Sequence, residues 1–328
     1  MKIPNLSGVK LLGDPHLGKT FKTGVPLHRR GERERHQWGV FHESLYDVSG
    51  YKLHVNMGDL FDDFIVPYRI IWDAAHEYLS AAEDNPDVRY IIHIGNHDES
   101  KDVDKVSAFR VFSGLVAHCA NITVVQGAEP FLSEMGTLHL PWHPFQTSRA
   151  IATRGASLAP AFAAAFGHWD HRDFGDEDHE NVVPIAELKD KTRVFVSGHE
   201  HTPAIHVKDG CTLYFVGSML PYSHGEDPKE LIYVTRDLSE IDDVTIHDYK
   251  DKSLRLNVPA GETVPEGWPD IPLQFQAVFE KVDVTHEVGK SEDFNFEDLM
   301  GDTLKEFDVS EGMRTWLTDK YKDSRKDL

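Results

Sequence analysis

Five short segments rich in aspartate and histidine fall along the first two-thirds of the sequence: Gly13-Asp14-Pro15-His16, Gly58-Asp59-Leu60-Phe61-Asp62, Gly95-Asn96-His97-Asp98, Gly167-His168 and Gly198-His199-Glu200-His201. Each opens on glycine and continues with a carboxylate, an amide or an imidazole. This set of oxygen and nitrogen donors, with no thiolate, suits Mn²⁺, Fe²⁺ or Zn²⁺ better than Ca²⁺. A carboxylate is the natural bridge between two cations about 3.5–4 Å apart, the spacing of two-metal hydrolases. Asp59 is the candidate bridge. One such segment alone marks little more than a turn, but all five in this order are strong evidence for a metal centre.

The segments need elements to bring them together. Lys10-Leu11-Leu12, Leu53 to Met57, Tyr90 to Ile94 and Arg193 to Ser197 are short, largely apolar runs, the last two rich in β-branched or aromatic residues, and each is followed at once by glycine. They read as buried strands whose carboxyl ends carry the chemistry. Glycine lets the backbone turn sharply off each strand, so that residues far apart in sequence converge on one edge of a sheet.

On these segments the chain resembles the calcineurin-like metallophosphoesterase superfamily. The resemblance implies an α/β fold, a two-sheet β-sandwich flanked by helices. It assigns Asp14, His16 and His201 to a first metal and Asn96, His168 and His199 to a second, with Asp59 joining them. His97 would face the scissile phosphate and assist the leaving oxygen, while a hydroxide bridging the metals attacks. His143, His171 and His179 compete with His168 for its place. His54, His76, His93, His118 and His139 carry no motif and read as core or surface histidines. Asp62, Asp98 and Glu200 read as groups that cap loops or fix histidine tautomers.

Three further stretches bear on substrate. Lys19, Arg29, Arg30, Arg33 and Arg35 form a locally basic stretch after His16-Leu17-Gly18 and lead into His36-Gln37-Trp38-Gly39-Val40-Phe41. This resembles the SbcD-type nucleases of double-strand-break repair, and the five basic residues are candidate DNA contacts. Tyr214-Phe215-Val216-Gly217-Ser218, with Pro221 and Ser223-His224-Gly225-Glu226, is similar to a strand, Gly-Ser and Ser-x-x-Glu arrangement of the same nucleases. No Asp-Arg-Gly follows Gly58-Asp59, which sets the chain apart from serine/threonine phosphatases. In the tail, Phe307, Met313, Trp316 and Leu317 lie on apolar helical faces. These fit either a self-packed hairpin or a docking element.

The resemblance therefore implies a Mn²⁺-dependent DNA nuclease, with Fe²⁺, Zn²⁺ or Mg²⁺ as other possible metals. It would work in recombination and repair as a homodimer with an SMC-like ATPase of SbcC type. Exonuclease and endonuclease action both stay open, because the cap is short, as in phage-type members. A phosphoesterase for small phosphodiesters or nucleotides is an alternative that the five segments permit equally. A structural adaptor with a metal-stabilised fold is a third, disfavoured by an intact His97.

Composition adds one tension. Lys and Arg number 34 against 55 Asp and Glu, a formal net charge of −21, whereas phosphate neutralisation drives most DNA binding. Acid concentrated away from the Lys19–Arg35 stretch, bound cations and a partner that supplies grip would reconcile the two. The two cysteines, Cys119 and Cys211, fit a reducing compartment. With no signal-peptide pattern and no membrane-spanning apolar run, a cytoplasmic location is expected, in a bacterium or a phage host. The organisation expected is a catalytic domain over 1–236, a linker and reduced cap over 237–289, and a helical tail over 290–328.

Overall fold

A computed structural model describes residues 3, 6–102, 104–170, 181–280, 311–313, 315 and 316. The chain divides into two units, Met1–Phe279 and Glu280–Leu328.

In the first unit four parallel strands pair in sequence order: β1 (Val9–Leu12), β2 (Leu53–Asn56), β3 (Arg89–His93) and β4 (Ile122–Val125). Helices α1 (Glu32–Tyr46), α2 (Tyr68–Asp84) and α3 (Ala108–Val116) make the crossovers. A second sheet holds β5 (Phe131–Leu132), β6 (Thr137–His139), β7 (Ala164–Gly167), β8 (Val194–Ser197), β9 (Ala204–Lys208) and β10 (Cys211–Phe215). Its order is β5-β6-β7-β8-β10-β9, parallel inside with an antiparallel strand at each edge. Helices α4 (Ser148–Gly155) and α5 (Ile185–Leu188) lie along its connections.

Strand alternation decides which layer each side chain joins. Val55 and Ile91 pack with Phe166 and Val196 between the two sheets. Tyr90 and Ile92, one residue to either side of Ile91, instead join Phe41, Tyr78 and Phe112 under the helices. In α2, Ile71, Ala74, Ala75, Tyr78, Ala81 and Ala82 recur at helical spacing and are all buried. On the far side, Phe195, Leu213 and Phe215 pack with Ile151 and Leu188 of α4 and α5. The result is the α/β arrangement expected, two sheets face to face with helices outside.

A third sheet departs from the expected organisation. Strands β11 (Tyr233–Asp237), β12 (Ser253–Val258) and β13 (Gln274–Phe279) pair in parallel around a small core of Leu254, Leu256, Val258, Trp268 and Phe275. The boundary at 236 thus falls inside β11, and the expected linker contains the central strand. The Pro/Gly-rich run after Val258 masked the alternation of Leu254, Leu256 and Val258, which is legible only once the flanking strands are known.

Arg33 holds this sheet in place. From α1 its guanidinium donates to the Tyr233 hydroxyl at 2.7 Å, the Ser253 hydroxyl at 3.1 Å and the Gln274 side-chain oxygen at 2.8 Å. These acceptors are the first residues of β11, β12 and β13. The guanidinium also lies 3.9 Å from the Phe21 ring centre. Arg33 is buried, so its use as a DNA contact is corrected: its Nη1 is turned inward to the first residues of all three strands. Arg33→Ala is expected to destabilise the protein by about 3 kcal/mol, since hydrogen bonds to charged groups contribute about 1.5–3 kcal/mol. Thermal unfolding should fall by roughly 6–12 °C, and Arg33→Lys should recover little of it.

In the second unit the described residues 311–313, 315 and 316 are helical, and the Thr315 hydroxyl donates to the Glu311 carbonyl at 3.0 Å. Met313 and Trp316 are exposed. Phe307 and Leu317 lie outside the described residues. Among the described residues no helix is long and apolar enough to cross a membrane.

Candidate metal centre

Each ligand-bearing segment starts where a strand ends. Asp14 and His16 follow β1, Asp59 follows β2, Asn96 and His97 follow β3, His168 follows β7, and His199 and His201 follow β8. All these strands are parallel within their sheets, so their carboxyl ends share an edge and the loops meet there.

The loops interlock through their backbones. His16 and Leu17 donate to the carbonyls of Asp59 and Leu60 at 3.0 and 2.8 Å. The buried Asp98 carboxylate accepts from the amides of Leu60, Phe61 and Gly95 at 2.9–3.1 Å and so ties the second and third loops together. The Gln37 amide of α1 donates to the carbonyls of Pro15 and His16 at 2.8 and 2.9 Å. The motif glycines serve packing more than turning. A Cβ on Gly13 would lie 1.6 Å from the Gly217 carbonyl oxygen, and one on Gly95 would lie 2.2 Å from Asp59 Oδ1.

Five described non-glycine residues have positive φ, and three of them are His16 (47°), Asp59 (48°) and His199 (74°). Such a conformation costs of order 1–3 kcal/mol apiece and persists where surrounding contacts enforce it. Its concentration on three ligand candidates means that the loops are shaped for the side chains they present.

The side chains form two groups joined by one carboxylate. Asp14, His16 and His201 make the first, and Asp59, His168 and His199 the second. His16 Nε2 faces His201 Nε2 at 3.0 Å. Two imidazole nitrogens bound to one ion at about 2.0–2.1 Å from it come about this close to each other. In the second group Asn96 Oδ1 lies 2.9 Å from His168 Nε2 and 2.8 Å from His199 Nδ1. Asp59 Oδ2 stands 3.8 Å from His16 Nε2 and 3.3 Å from His168 Nε2, between the groups.

The carboxylates are each pinned by one oxygen. Asp14 Oδ2 accepts from the His199 amide at 2.8 Å, and Asp59 Oδ1 accepts from the His97 amide at 2.9 Å. Asp14 Oδ1 is buried without any hydrogen-bond partner. An orphaned carboxylate oxygen beside converging imidazoles is strongly unfavourable unless a cation answers it. The residues therefore fit divalent metal ions.

Burial would raise the Asp59 carboxyl and lower the His168 imidazole, but their mutual attraction overcomes it. Asp59 is held below the usual carboxylate range, and His168 is raised from 6.5 to about 10 by Asp59 and Asp14. Without metal, His168 thus keeps a proton among the carboxylates, and an incoming ion must expel it. Because that proton is held up to about pH 10 rather than 6.5, metal affinity should rise with pH across this interval. The slope should approach about tenfold per pH unit for each proton displaced. Calorimetry at neutral pH in buffers of different ionisation enthalpy should show proton release. Metal uptake with no release would mean that His168 is not displaced.

His97 stands at the mouth. It is exposed, its Nδ1 lies 2.7 Å from the Asp62 carbonyl, and its ring meets His16 edge-on at 4.8 Å between centres. His143 is elsewhere, with Nδ1 accepting from the amides of Phe145 and Gln146. His171 and His179 lie outside the described residues. His54, His93 and His139 are buried in the core, the last two joined at 2.8 Å.

Among the basic candidates, Lys19 lies beside the centre, paired with Asp62 at 2.9 Å, and Arg30 and Arg35 are exposed. Arg29 is largely enclosed: it pairs with Glu32 at 2.7 Å and donates to the carbonyls of Lys250 and Ile271. Its guanidinium is occupied within the fold, which corrects its use as a DNA contact.

Three groups went unrecognised as parts of the centre. Asp170 Oδ1 lies 2.5 Å from His199 Nε2, and Glu226 Oε2 lies 3.3 Å from His201 Nδ1. The Tyr222 hydroxyl donates to the Pro15 carbonyl at 2.5 Å, and its ring packs against His16 and His201. Asp170 follows Gly167-His168 by two residues, a proximity that could have marked it. Glu226 closes the Ser-x-x-Glu arrangement of residues 223–226, which marks the residue but not its contact with His201, and for Tyr222 no spacing signal points to its contacts.

No family model matches the chain, and no curated protein matches it. Solved structures similar to it include TT1561 of Thermus thermophilus, at 8% identity and a TM-score of 0.42, over 64% of this chain and 89% of that one. GAP50, the anchor in the inner membrane complex of Plasmodium, is similar at 13% identity and 0.37, over 64% of this chain and 71% of that one. A phosphopantetheinyl hydrolase from Mycobacterium tuberculosis is similar at 13% identity and 0.35, over 66% and 95%. Likenesses at this level assign nothing, and the centre is read from its own residues: a mixed α/β sandwich carrying Asp, Asn and His groups able to hold metal ions at one sheet edge.

Proposed function

We propose that the protein is a metal-dependent phosphodiesterase acting on DNA, of the SbcD type. The observation that carries the hydrolase reading is the convergence of Asp14, His16, Asp59, Asn96, His168, His199 and His201 on one edge with His97 exposed beside them. When bound, two divalent ions of the Mn²⁺ class would activate water, orient the phosphate and stabilise charge during in-line attack. The chain's own residues do the rest. A carbonyl can only accept, so His97 Nδ1 carries hydrogen toward Asp62. Nε2 is then the atom left facing outward, and it gives a proton to the departing oxygen when the ring is in its imidazolium form.

The DNA reading is supported by a cleft of about 280 Å³ beside the centre, lined by Lys19, Lys22, Arg255, Phe21, Tyr222 and Tyr233 among others. Cations on such a cleft can meet backbone phosphates, while Phe21 and Tyr233 are buried against Arg33 and form its floor. Arg30 and Arg35 remain candidate contacts. Exposed Met313 and Trp316 fit docking onto an SMC-like ATPase, and exposed Tyr68 and Trp72, one turn apart on α2, fit a homodimer. Light scattering decides the latter, and a monomer at working concentration would refute it.

The net charge of −21 favours a second reading, hydrolysis of small phosphodiesters. Purified protein with Mn²⁺ should degrade linear double-stranded DNA, and Lys19→Ala with Lys22→Ala should slow this about tenfold or more while sparing bis-p-nitrophenyl phosphate hydrolysis. Cleavage of the small ester alone, with or without an added ATPase partner, would overturn the DNA reading.

A further inference from the structure

The two histidines of the Gly198–His201 loop use their rings in opposite senses. His199 turns Nε2 to Asp170 Oδ1 at 2.5 Å and Nδ1 to Asn96 Oδ1 at 2.8 Å. His201 turns Nδ1 to Glu226 Oε2 at 3.3 Å and Nε2 to His16 Nε2 at 3.0 Å. An ionised carboxylate has only acceptor capacity, so the ring nitrogen facing it must carry the hydrogen. A neutral imidazole has one N–H, which leaves the opposite nitrogen as a bare lone pair. The loop therefore offers Nδ1 from His199 and Nε2 from His201, two residues apart.

We propose that Asp170 and Glu226 are positioning residues that impose these opposite tautomers, so that one loop serves two different ions, His199 through Nδ1 and His201 through Nε2. The inference rests on the metal-centre reading above. The Glu226 carboxylate and the Asp170 backbone are themselves held. Glu226 Oε2 also accepts from the Tyr222 amide at 2.8 Å, and Oε1 accepts from the Ser223 hydroxyl at 2.9 Å. Asp170 stands just beyond β7, where its amide donates to the Asn181 carbonyl at 3.0 Å. Between β8 and His201 the backbone of His199 is left-handed, at φ 74°. With either carboxylate gone, a ring can rotate or change tautomer, and one ion loses a preorganised ligand while the other keeps its own.

Zn²⁺ is the probe, because it is diamagnetic and gives readable imidazole spectra. In ¹⁵N-labelled, Zn²⁺-loaded protein, long-range ¹H–¹⁵N correlations should show His199 with hydrogen on Nε2 and metal on Nδ1, and His201 with the reverse. In calorimetric titration, Asp170→Ala should weaken one Zn²⁺ site by about 10–100-fold, and Glu226→Ala should weaken the other by a like amount. Asp170→Asn and Glu226→Gln should recover part of each loss, since an amide oxygen still accepts the ring N–H. The same ring nitrogen metallated in both histidines would overturn the proposal, as would variants that bind like the parent or weaken both sites equally. The spectra of the unsubstituted protein decide the point even if a variant fails to fold. A parent chain that binds no Zn²⁺ would overturn the metal-centre reading itself, and this proposal with it.

Discussion

Replacing His97 by alanine is expected to lower phosphodiester turnover by about 10²–10⁴-fold, the range of a lost general acid or base, while two divalent ions stay bound. The geometry separates His97 from the ligands. It is the one exposed member of the group, and its Nδ1 is engaged with the Asp62 carbonyl at 2.7 Å. Its amide, which survives the substitution, is what holds Asp59 Oδ1 at 2.9 Å. Metal content by mass spectrometry and rates on an ester with a good leaving group would be read together. An activated leaving group needs little proton assistance, so its hydrolysis should fall far less than that of DNA. There is a competing geometric reading, since His16, Asp59 and His97 could also hold an ion. If the variant loses an ion, His97 is a ligand and its role as proton donor is wrong.

The second large effect is expected at Asp59. Asparagine there should abolish measurable hydrolysis and weaken both ions by at least about 100-fold, beyond what loss of a merely orienting group produces. The reason is its place between the two groups, with Oδ2 3.8 Å from His16 Nε2 and 3.3 Å from His168 Nε2. The amide would keep its oxygen on the His97 N–H and turn its NH₂ toward those nitrogens, where a donor opposes a cation. His168 would also lose the charge that chiefly raises it. Saturating metal at about 100-fold over Kd stabilises a folded protein by about 2.7 kcal/mol per site. Mn²⁺ should therefore raise the melting temperature of the parent protein and leave that of Asp59→Asn nearly unchanged. An equal rise in both would show that Asp59 is no ligand.

The two expectations differ in what they owe to local sequence. His97 and Asp59 were legible because each lies in a segment that opens on glycine directly after an apolar run, and β2 and β3 end there. The same is true of Asp14, Asn96 and His199. A strand end is a short-range event: apolar β-branched residues stop, the chain turns, and the next side chains face the edge. Parallel strands then aim all such ends the same way, so order along the sequence becomes neighbourhood in space.

The third sheet shows where that legibility stops. Gln274-Phe275-Gln276-Ala277 alternates as a half-buried strand does, but β12 lies in a stretch whose Pro/Gly-rich continuation resembles a linker. What makes β12 a central strand is pairing with β11 and β13 on either side. Arg33 shows the same limit for a single residue. Within its basic stretch it is indistinguishable from Arg30 and Arg35, yet it is buried against Tyr233, Ser253 and Gln274 while they are exposed. Its helical position turned it inward, and only the approach of three distant strands gave it acceptors.

By itself, then, the sequence determined the donor set, the two-sheet α/β class and the edge on which the donors meet, because each follows from residue type and short-range periodicity. Only the tertiary structure decided which arginines are withdrawn from solvent, which carboxylates stand behind His199 and His201, and which ring nitrogen each histidine offers. Those outcomes depend on contacts between segments tens to hundreds of residues apart. Such contacts are selected by packing and hydrogen-bond satisfaction, which leave no period in the chain.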